Sequence, residues 1–156
     1  MLKILGRGNQ FGLDLPSANL TGVVEKDIQL SEIKALKAGR FLAIDQTTKQ
    51  ATLADGDETL GKIPLGFIVN DAVGLFFENT PALASMQVPF TFGNCIVISD
   101  QIASGVTILA SQLLYCGTGA QAGMITNVPP SNSREIGISM GTPDPVTKEL
   151  LIAVLG

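Results

Sequence analysis

Short apolar runs separated by turn residues dominate the chain from residue 22 onward. Several of these runs alternate apolar and polar positions, and glycine, proline, asparagine or aspartate bounds most of them. This pattern is typical of strands and not of the 3.6-residue period of helices. The predicted strands are 23–30, 40–45, 50–54, 65–70, 73–78, 87–92, 95–99, 106–109, 113–116, 135–140 and 150–155.

Only short helical turns fit between these strands. The best candidate is 31–38, with Ser31 as N-cap and Gly39 just past its end. A second helical turn is predicted at 81–85. Asp55-Gly56 and Asp144-Pro145 are typical of turns between strands. Pro89 removes a backbone donor, so its strand is predicted to lie at a sheet edge or to carry a bulge.

Residues 1–21 show no sustained period and predict an extended N-terminal arm. The arm keeps apolar residues that a solvated tail rarely holds, so we expect them to contact a partner or another subunit. The alternative is that the arm packs back onto its own domain. The predicted contact residues are Ile4, Leu5, Phe11, Leu13 and Leu15.

The fold class predicted from these elements is mainly β, a compact β-barrel or β-sandwich with short helical turns. The chain of 156 residues has the length of a single domain, which we place at 22–156 after the arm.

Charge is distributed very unevenly along the chain. Charged residues make up 15% of the sequence, below the quarter or so usual for soluble domains. Between 79 and 133 the single charged side chain is Asp100, whereas the first 62 residues carry sixteen charges. We expect the uncharged stretch to form subunit contacts or to face a larger assembly.

The numbers of basic and apolar residues and their spacing disfavour nucleic acids and membranes as partners. The ten basic residues are scattered, whereas a nucleic-acid site needs clustered positive charge, so we expect no nucleic acid. No run approaches the ~20 apolar residues of a bilayer span, so we expect no membrane association. Residues 1–7 lack the apolar core of a secretory signal, which favours a protein that stays in the cytoplasm where it is made.

Candidate catalytic chemistry is sparse. The chain has no histidine, the usual base of Ser or Cys triads, and we predict no catalytic residues and no cofactor. Cys95 and Cys116 lie in apolar runs and are expected to be small buried side chains rather than metal ligands or a disulfide. The acidic cluster at 55–58 lacks the ligand spacing of a calcium loop, so we predict a solvated hairpin tip and no metal site.

One enzymatic alternative stays open. The segment Phe11-Gly12-Leu13-Asp14-Leu15 resembles the first motif of trimeric dUTP pyrophosphatases, which are β proteins of similar length. The tyrosine-bearing substrate motif and the glycine- and arginine-rich C-terminal tail of that family have no counterpart here. An enzyme of this kind is therefore the less favoured prediction.

A second resemblance covers most of the chain. Glycine-opened strands at 37–45 (KAGRFLAID), 63–69 (IPLGFIV), 102–109 (IASGVTIL) and 135–140 (EIGISM), followed by the apolar strand 149–155 (ELLIAVL), make the sequence similar to capsid decoration, or cement, proteins of tailed bacteriophages. The resemblance implies a non-enzymatic virion protein, made in the host cytoplasm, that binds the major capsid protein on the outer capsid surface, often as a homotrimer. A phage tail or baseplate β-module, or a receptor-binding domain, is the alternative.

Overall fold

The described residues form two antiparallel sheets, which confirms the predicted mainly β fold class. The computed structural model describes residues 2–4, 9–14, 35–47, 49–69, 71, 87–92, 95–131 and 133–155. Its strands are β1 (Leu2–Ile4), β2 (Asn9–Asp14), β3 (Phe41–Ile44), β4 (Ala51–Leu53), β5 (Gly66–Ile68), β6 (Gln87–Phe92), β7 (Cys95–Ser99), β8 (Leu113–Cys116), β9 (Ile125–Thr126), β10 (Gly137–Ser139) and β11 (Leu150–Val154).

The sheets divide the chain without following its order. One sheet has six strands in the order β1-β7-β11-β10-β8-β9, and the other has five in the order β2-β6-β5-β3-β4. Short turns of 3-10 helix at Glu58–Leu60 and Gly119–Gln121 lie in the connections. We call the two layers the six-stranded sheet and the five-stranded sheet.

The described parts of the predicted arm are strands at the edge of each sheet. β1 pairs with β7, with Leu2 opposite Ser99, and β2 pairs along its whole length with β6. The N-terminal segment thus passes from one sheet to the other. The described parts of the arm therefore pack on their own domain, which was the alternative to contact with a partner.

The core lies between the sheets. Phe41 and Phe67 project from the five-stranded sheet, with ring centroids 4.3 Å apart. They join Val97, Leu114 and Ile152 of the six-stranded sheet in one cluster of buried side chains. Facing sheets that share an apolar layer are the defining feature of a β-sandwich.

The five-stranded sheet is covered on its other face as well. Leu42, Ile68 and Phe90 point away from the shared core and form a second buried cluster, which Leu36 and Val88 complete. The described side chains at the centre of this sheet, on β3, β5 and β6, are therefore buried on both faces. Gly39, at a φ of 89°, ends the segment that brings Leu36 over the sheet. The helix predicted over 31–38 is wrong at its C-terminal end, because Leu36 and Lys37 are not helical; residues 31–34 lie outside the described residues.

Two hairpins are built on the same loop. In the loop between β3 and β4, the Asp45 carboxylate accepts the Thr47 N–H at 2.9 Å, and Lys49 has a φ of 62°. In the loop between β10 and β11, the Asp144 carboxylate accepts the Val146 N–H at 2.8 Å, and Lys148 has a φ of 63°. Both loops carry the pattern Asp-x-x-Thr-Lys, in which the aspartate satisfies the turn and the lysine takes the left-handed position.

Acidification should weaken the second hairpin. The backbone N–H groups of Thr147 and Val146 donate to Asp144 and hold the pKa of its carboxyl below its ordinary value. The pKa of Asp144 is lower in the folded than in the unfolded protein, so the ionised carboxylate stabilises the folded protein. This contribution is fully present above about pH 4, the pKa of an unfolded aspartate, and is lost as the pH falls through the folded pKa. NMR titration should place this carboxyl below about 3.9.

The control for this prediction is Asp144→Asn, which keeps an oxygen acceptor and does not titrate. The stability difference between wild type and this variant, measured by urea unfolding, should shrink on going from pH 6 to acid. A carboxyl that titrates at or above the ordinary aspartate value contradicts the prediction.

Most predicted strands are confirmed within the described residues, some at their predicted bounds, such as 87–92, 95–99 and 113–116. The strand predicted at 106–109 is wrong. Ile108 is buried in the shared core, which explains the apolar run. The Thr107 carbonyl and the Leu109 N–H, however, bond to the side chains of Asn127 and Gln112 and not to a neighbouring strand.

The prediction for the strand of Pro89 is also wrong, because β6 lies between β2 and β5. Its ladder with β5 stops at Phe90, one residue short of Pro89. At Pro89 only the β2 side is paired, opposite Gly12, so the residue without an N–H takes part in a single ladder. The strands predicted at 23–30 and 73–78 and the helical turn at 81–85 lie outside the described residues.

Candidate functional site

The outer face of the six-stranded sheet is apolar. Strands β7 and β11 place Cys95, Val97, Leu150 and Ile152 in the shared core, so the residues between them point the other way. The side chains on this outer sheet face are half-buried or exposed, and neither buried cluster of the described residues includes them. They are Ile96, Ile98, Leu113, Ile138, Met140, Leu151 and Ala153.

The strand register arranges these side chains in two rows. One row runs Leu113, Ile138, Ala153, Ile96 across four neighbouring strands. The other holds Leu151 opposite Ile98, with Met140 beside Leu151 through a backbone hydrogen bond of 2.9 Å. Leu113 and Met140 remain 44% and 47% exposed. Within β7, β8, β10 and β11 both rows lack charged residues, and the second row continues in β1 at Lys3, which lies opposite Ile98.

A turn next to this face presents further apolar groups. The turn holds the exposed residues Thr107, Leu109, Ala110 and Ser111. The Asn127 side chain donates to the Thr107 carbonyl at 2.8 Å and so joins the turn to the neighbouring exposed Val128; we call these five residues the turn platform. Leu109 is 54% and Val128 60% exposed. No charged residue occurs anywhere in the described stretch 101–131.

Buried and half-buried polar groups hold the turn platform in place. The Gln112 side-chain oxygen accepts from the Leu109 N–H at 2.8 Å and from the Asn127 amide at 3.0 Å. The Ser139 hydroxyl donates to the Leu109 carbonyl and accepts the Gln112 N–H at 2.9 Å. These hydrogen bonds satisfy the backbone groups of the turn around Leu109.

Ser111, in the same turn, has an unusual backbone conformation. Its φ of 62° is unusual for a residue other than glycine. The Ser111 N–H donates to the Ser139 carbonyl at 2.8 Å and helps to hold this conformation. Non-glycine residues persist in the left-handed region where the surroundings over-determine them, often at binding sites.

The acidic cluster has structural tasks. Asp55 is buried, and its carboxylate accepts the N–H groups of Asp57 at 2.9 Å and Gly119 at 3.1 Å. Asp57 caps the 3-10 turn through Thr59, and Glu58 pairs with Arg134 at 2.9 Å. The predicted solvated tip is thus wrong for Asp55, because the loop after β8 covers it. Among the described residues no group of three His, Cys, Asp or Glu side chains is arranged to hold a metal ion.

Both cysteines are free and buried, as the sequence predicts. Burial raises the pKa of the Cys116 thiol to about 12, and burial likewise raises the pKa of the Cys95 thiol. A thiol is nucleophilic only as its thiolate, so neither side chain is activated for chemistry at neutral pH.

The predicted contact residues of the arm are not brought together as one site. Ile4 lies in β1 at the edge of the six-stranded sheet, whereas Phe11 and Leu13 lie in β2 at the edge of the five-stranded sheet. Leu5 and Leu15 lie outside the described residues. Their contact with a partner stays a prediction.

Sequence reasoning identified the uncharged stretch but missed the outer sheet face. Two signals pointed to it, the unbroken apolar runs CIVI at 95–98 and LLIAV at 150–154. A strand with one solvent-exposed face should alternate apolar and polar residues, whereas these two strands do not.

No protein-family model, curated protein or solved structure matches the chain. Within the part of the chain that the structure describes, no helix has the length and apolarity needed to cross a bilayer.

Proposed function

We propose that this protein is a virion structural protein that binds the outer surface of a tailed-phage capsid and stabilises contacts between major capsid subunits. The observation that carries the proposal is the turn platform, in which Leu109, Ala110 and Val128 expose apolar side chains beside two hydroxyl residues, within a described stretch of 31 residues, 101–131, without charge. The sequence resemblance to decoration proteins points in the same direction.

A preorganised, uncharged surface suits attachment to a protein shell. Its polar groups are already paired through Gln112, Asn127 and Ser139, so docking strips water mainly from apolar atoms and leaves few hydrogen bonds unmade. Rigidity also lowers the ordering cost of binding.

The mechanical role follows from where such a protein sits. Packaged DNA pushes capsid subunits apart, and a domain that bridges two subunits adds its own binding free energy to the cost of separating them. On a lattice of many identical sites, an oligomer of decoration subunits gains further from high effective concentration, because each docked subunit holds its neighbours close to their sites.

Binding to capsids should depend on Val128. Wild-type protein should co-sediment with expanded, empty heads of the phage that encodes it, and Val128→Asp should bind at least about tenfold more weakly, a loss of ~1.4 kcal/mol, because docking would bury an unpaired carboxylate. The matched control is Val146→Asp, since Val146 lies at the tip of the second hairpin, is 88% exposed and is outside the platform.

Two outcomes would contradict the proposal. Wild-type protein that stays in the supernatant would favour a tail or baseplate component. Equal binding of the two aspartate variants would exclude the turn platform as the docking surface. Because both valines are exposed, thermal unfolding should be nearly the same for the two variants and wild type.

A further inference from the structure

The N-terminal arm supplies a terminal strand to both sheets. Among the described strands, β1 and β2 are each the last in its sheet, β1 next to β7 and β2 next to β6. The pairing covers three residues of β1 and six of β2. Since no two other described strands are paired through them, β1 and β2 can leave together without breaking any further strand pairing.

The strand edges that the arm covers are unsuited to water. Without β1 and β2, the edges of β7 and β6 would present unpaired N–H and C=O groups, which readily accept a strand from another chain. Both strands are also anchored in buried layers, since Val97 of β7 and Val88 of β6 are fully buried. We call these two edges the arm site. The occupant that fits it is the sequence of β1 and β2, in the register that these strands show.

We infer that the arm site also accepts the arm of a second copy of this chain, so that neighbouring copies exchange arms. An exchanged arm makes the same backbone ladders as a copy's own arm, and exchange of an identical element costs little free energy. The partner of the arm is then a defined surface, the edges of β6 and β7 in another subunit. This is the contact with another subunit that the apolar residues of the arm predict.

The connection between the arm and the rest of the domain is long enough for this exchange. The twenty residues 15–34 lead from β2 to the next described segment. Twenty extended residues span up to about 70 Å. A domain of this chain length is roughly 40 Å across by the usual scaling of the radius of gyration. The arm of one copy can therefore reach the arm site of a copy that lies in contact with it.

Concentration decides between the two arrangements. A copy's own arm is tethered next to its arm site, and a tethered segment competes at an effective concentration of about 1 mM. In dilute solution the arm site is therefore occupied by the arm of the same chain. Exchange becomes substantial where copies reach about the same concentration, for example when they are held side by side on a surface.

The test places one cysteine on each side of a register pair. Lys3 lies opposite Ile98, and opposite residues of antiparallel strands are close enough for a disulfide. Lys3→Cys protein and Ile98→Cys protein are mixed, unfolded in urea and refolded together under reducing conditions, at about 1 mM and at about 1 µM. The reductant is then removed, and the mixed disulfide dimer is quantified by mass spectrometry. Cys95 and Cys116 are buried in the refolded protein, which keeps them out of the reaction.

The control mixture contains Leu60→Cys in place of Ile98→Cys. Leu60 lies in the 3-10 turn after β4, is 59% exposed and is outside the arm site, so it reports on random collisions. At about 1 mM the mixed dimer of Lys3→Cys with Ile98→Cys should be at least about tenfold more abundant than that of the control mixture. At about 1 µM the two mixtures should give equal amounts, because the arm of the same chain then fills the arm site.

A mixed dimer that is no more abundant than in the control mixture at the higher concentration overturns the inference. The double variant Lys3→Cys/Ile98→Cys should form its disulfide within one chain at the lower concentration, and failure to do so would refute the register of the arm site itself. Circular dichroism checks refolding of each variant. If Ile98→Cys protein does not refold, Leu2→Cys and Ser99→Cys, the adjacent pair of the register, take the place of the first pair.

This inference does not rest on capsid binding, because the test contains no phage heads. Mixed dimers of a protein that ignores heads would refute the proposed function alone. A protein that pellets with heads but forms no mixed dimer would refute arm exchange alone. The arm site and the turn platform share no residue, so the cysteine variants and the aspartate variants each report on one question.

Discussion

Replacing Gly56 by alanine is expected to destabilise the protein by about 3 kcal/mol, because a Cβ at this position overlaps backbone that has little freedom to move. The added atom would collide with the Cys116 carbonyl oxygen and lie 2.9 Å from the Pro130 ring. Cys116 is the last residue of β8 and is itself buried in the core. Neither the strand nor the loop can retreat without breaking contacts.

Hydrogen bonds next to Gly56 add to the expected loss. Its N–H donates to the Gly117 carbonyl at 2.9 Å, and the neighbouring Asp55 carboxylate holds the Gly119 N–H at 3.1 Å. Separating the loop from β8 by even a fraction of an ångström weakens both. Bonds to a charged acceptor contribute roughly 1.5–3 kcal/mol each.

Thermal unfolding measures this prediction directly. For a chain of this size, about 3 kcal/mol corresponds to a fall in Tm of roughly 6–12 °C. The control is Gly141→Ala, where an added Cβ meets nothing within 4 Å, so Tm should stay close to that of wild type. Equal Tm values for the two variants would show that the loop after β4 does not pack on β8 as described.

The sequence predicts the strands well because their signal is local. Runs such as 95–99 and 113–116 carry β-prone apolar residues and are bounded by turn residues. The pattern fails at 106–109, where Ile108 makes the run apolar but side chains of Asn127 and Gln112 take its backbone groups. Such competition depends on residues that are distant in sequence, so no local rule detects it.

The pairing of strands and the burial of polar side chains could not be predicted from the sequence. Asp55 lies in an acidic, apparently solvated segment, yet the Gly117–Gly119 backbone arrives from 60 residues away to enclose it. Short strands at 2–4 and 9–14 lack a clear period and gain their identity only by pairing with β7 and β6. Tertiary contacts overrule weak local preference in both cases.

The turn platform and the outer sheet face could be predicted from the sequence only in part. The uncharged stretch is visible from composition, and the turn platform lies within it, while its contact with a partner stays a prediction. The outer sheet face required the register, because only the pairing of Ala153 with Ile96 and Ile138 shows that these side chains form one row. A surface is a property of neighbours across strands, whereas a motif search follows one strand at a time.

Phe67→Ala is expected to be the most damaging substitution in the core, with a loss of about 3–5 kcal/mol. Phe67 is 1% exposed and stacks against Phe41 in the layer shared by the two sheets. Truncation leaves a cavity that these short strands cannot close, since β5 is fixed by pairing with β3 on one side and β6 on the other.

The measurement is equilibrium unfolding in guanidinium chloride, with Phe67→Leu as the control that keeps most of the volume and should lose clearly less stability than the alanine variant. Both sheets should unfold in one transition, because the cluster around Phe67 contains side chains from each. Two separate transitions, or a loss below about 1 kcal/mol for Phe67→Ala, would mean that the sheets do not share this core. Such a result would also remove the rigid support on which the turn platform and the outer sheet face depend.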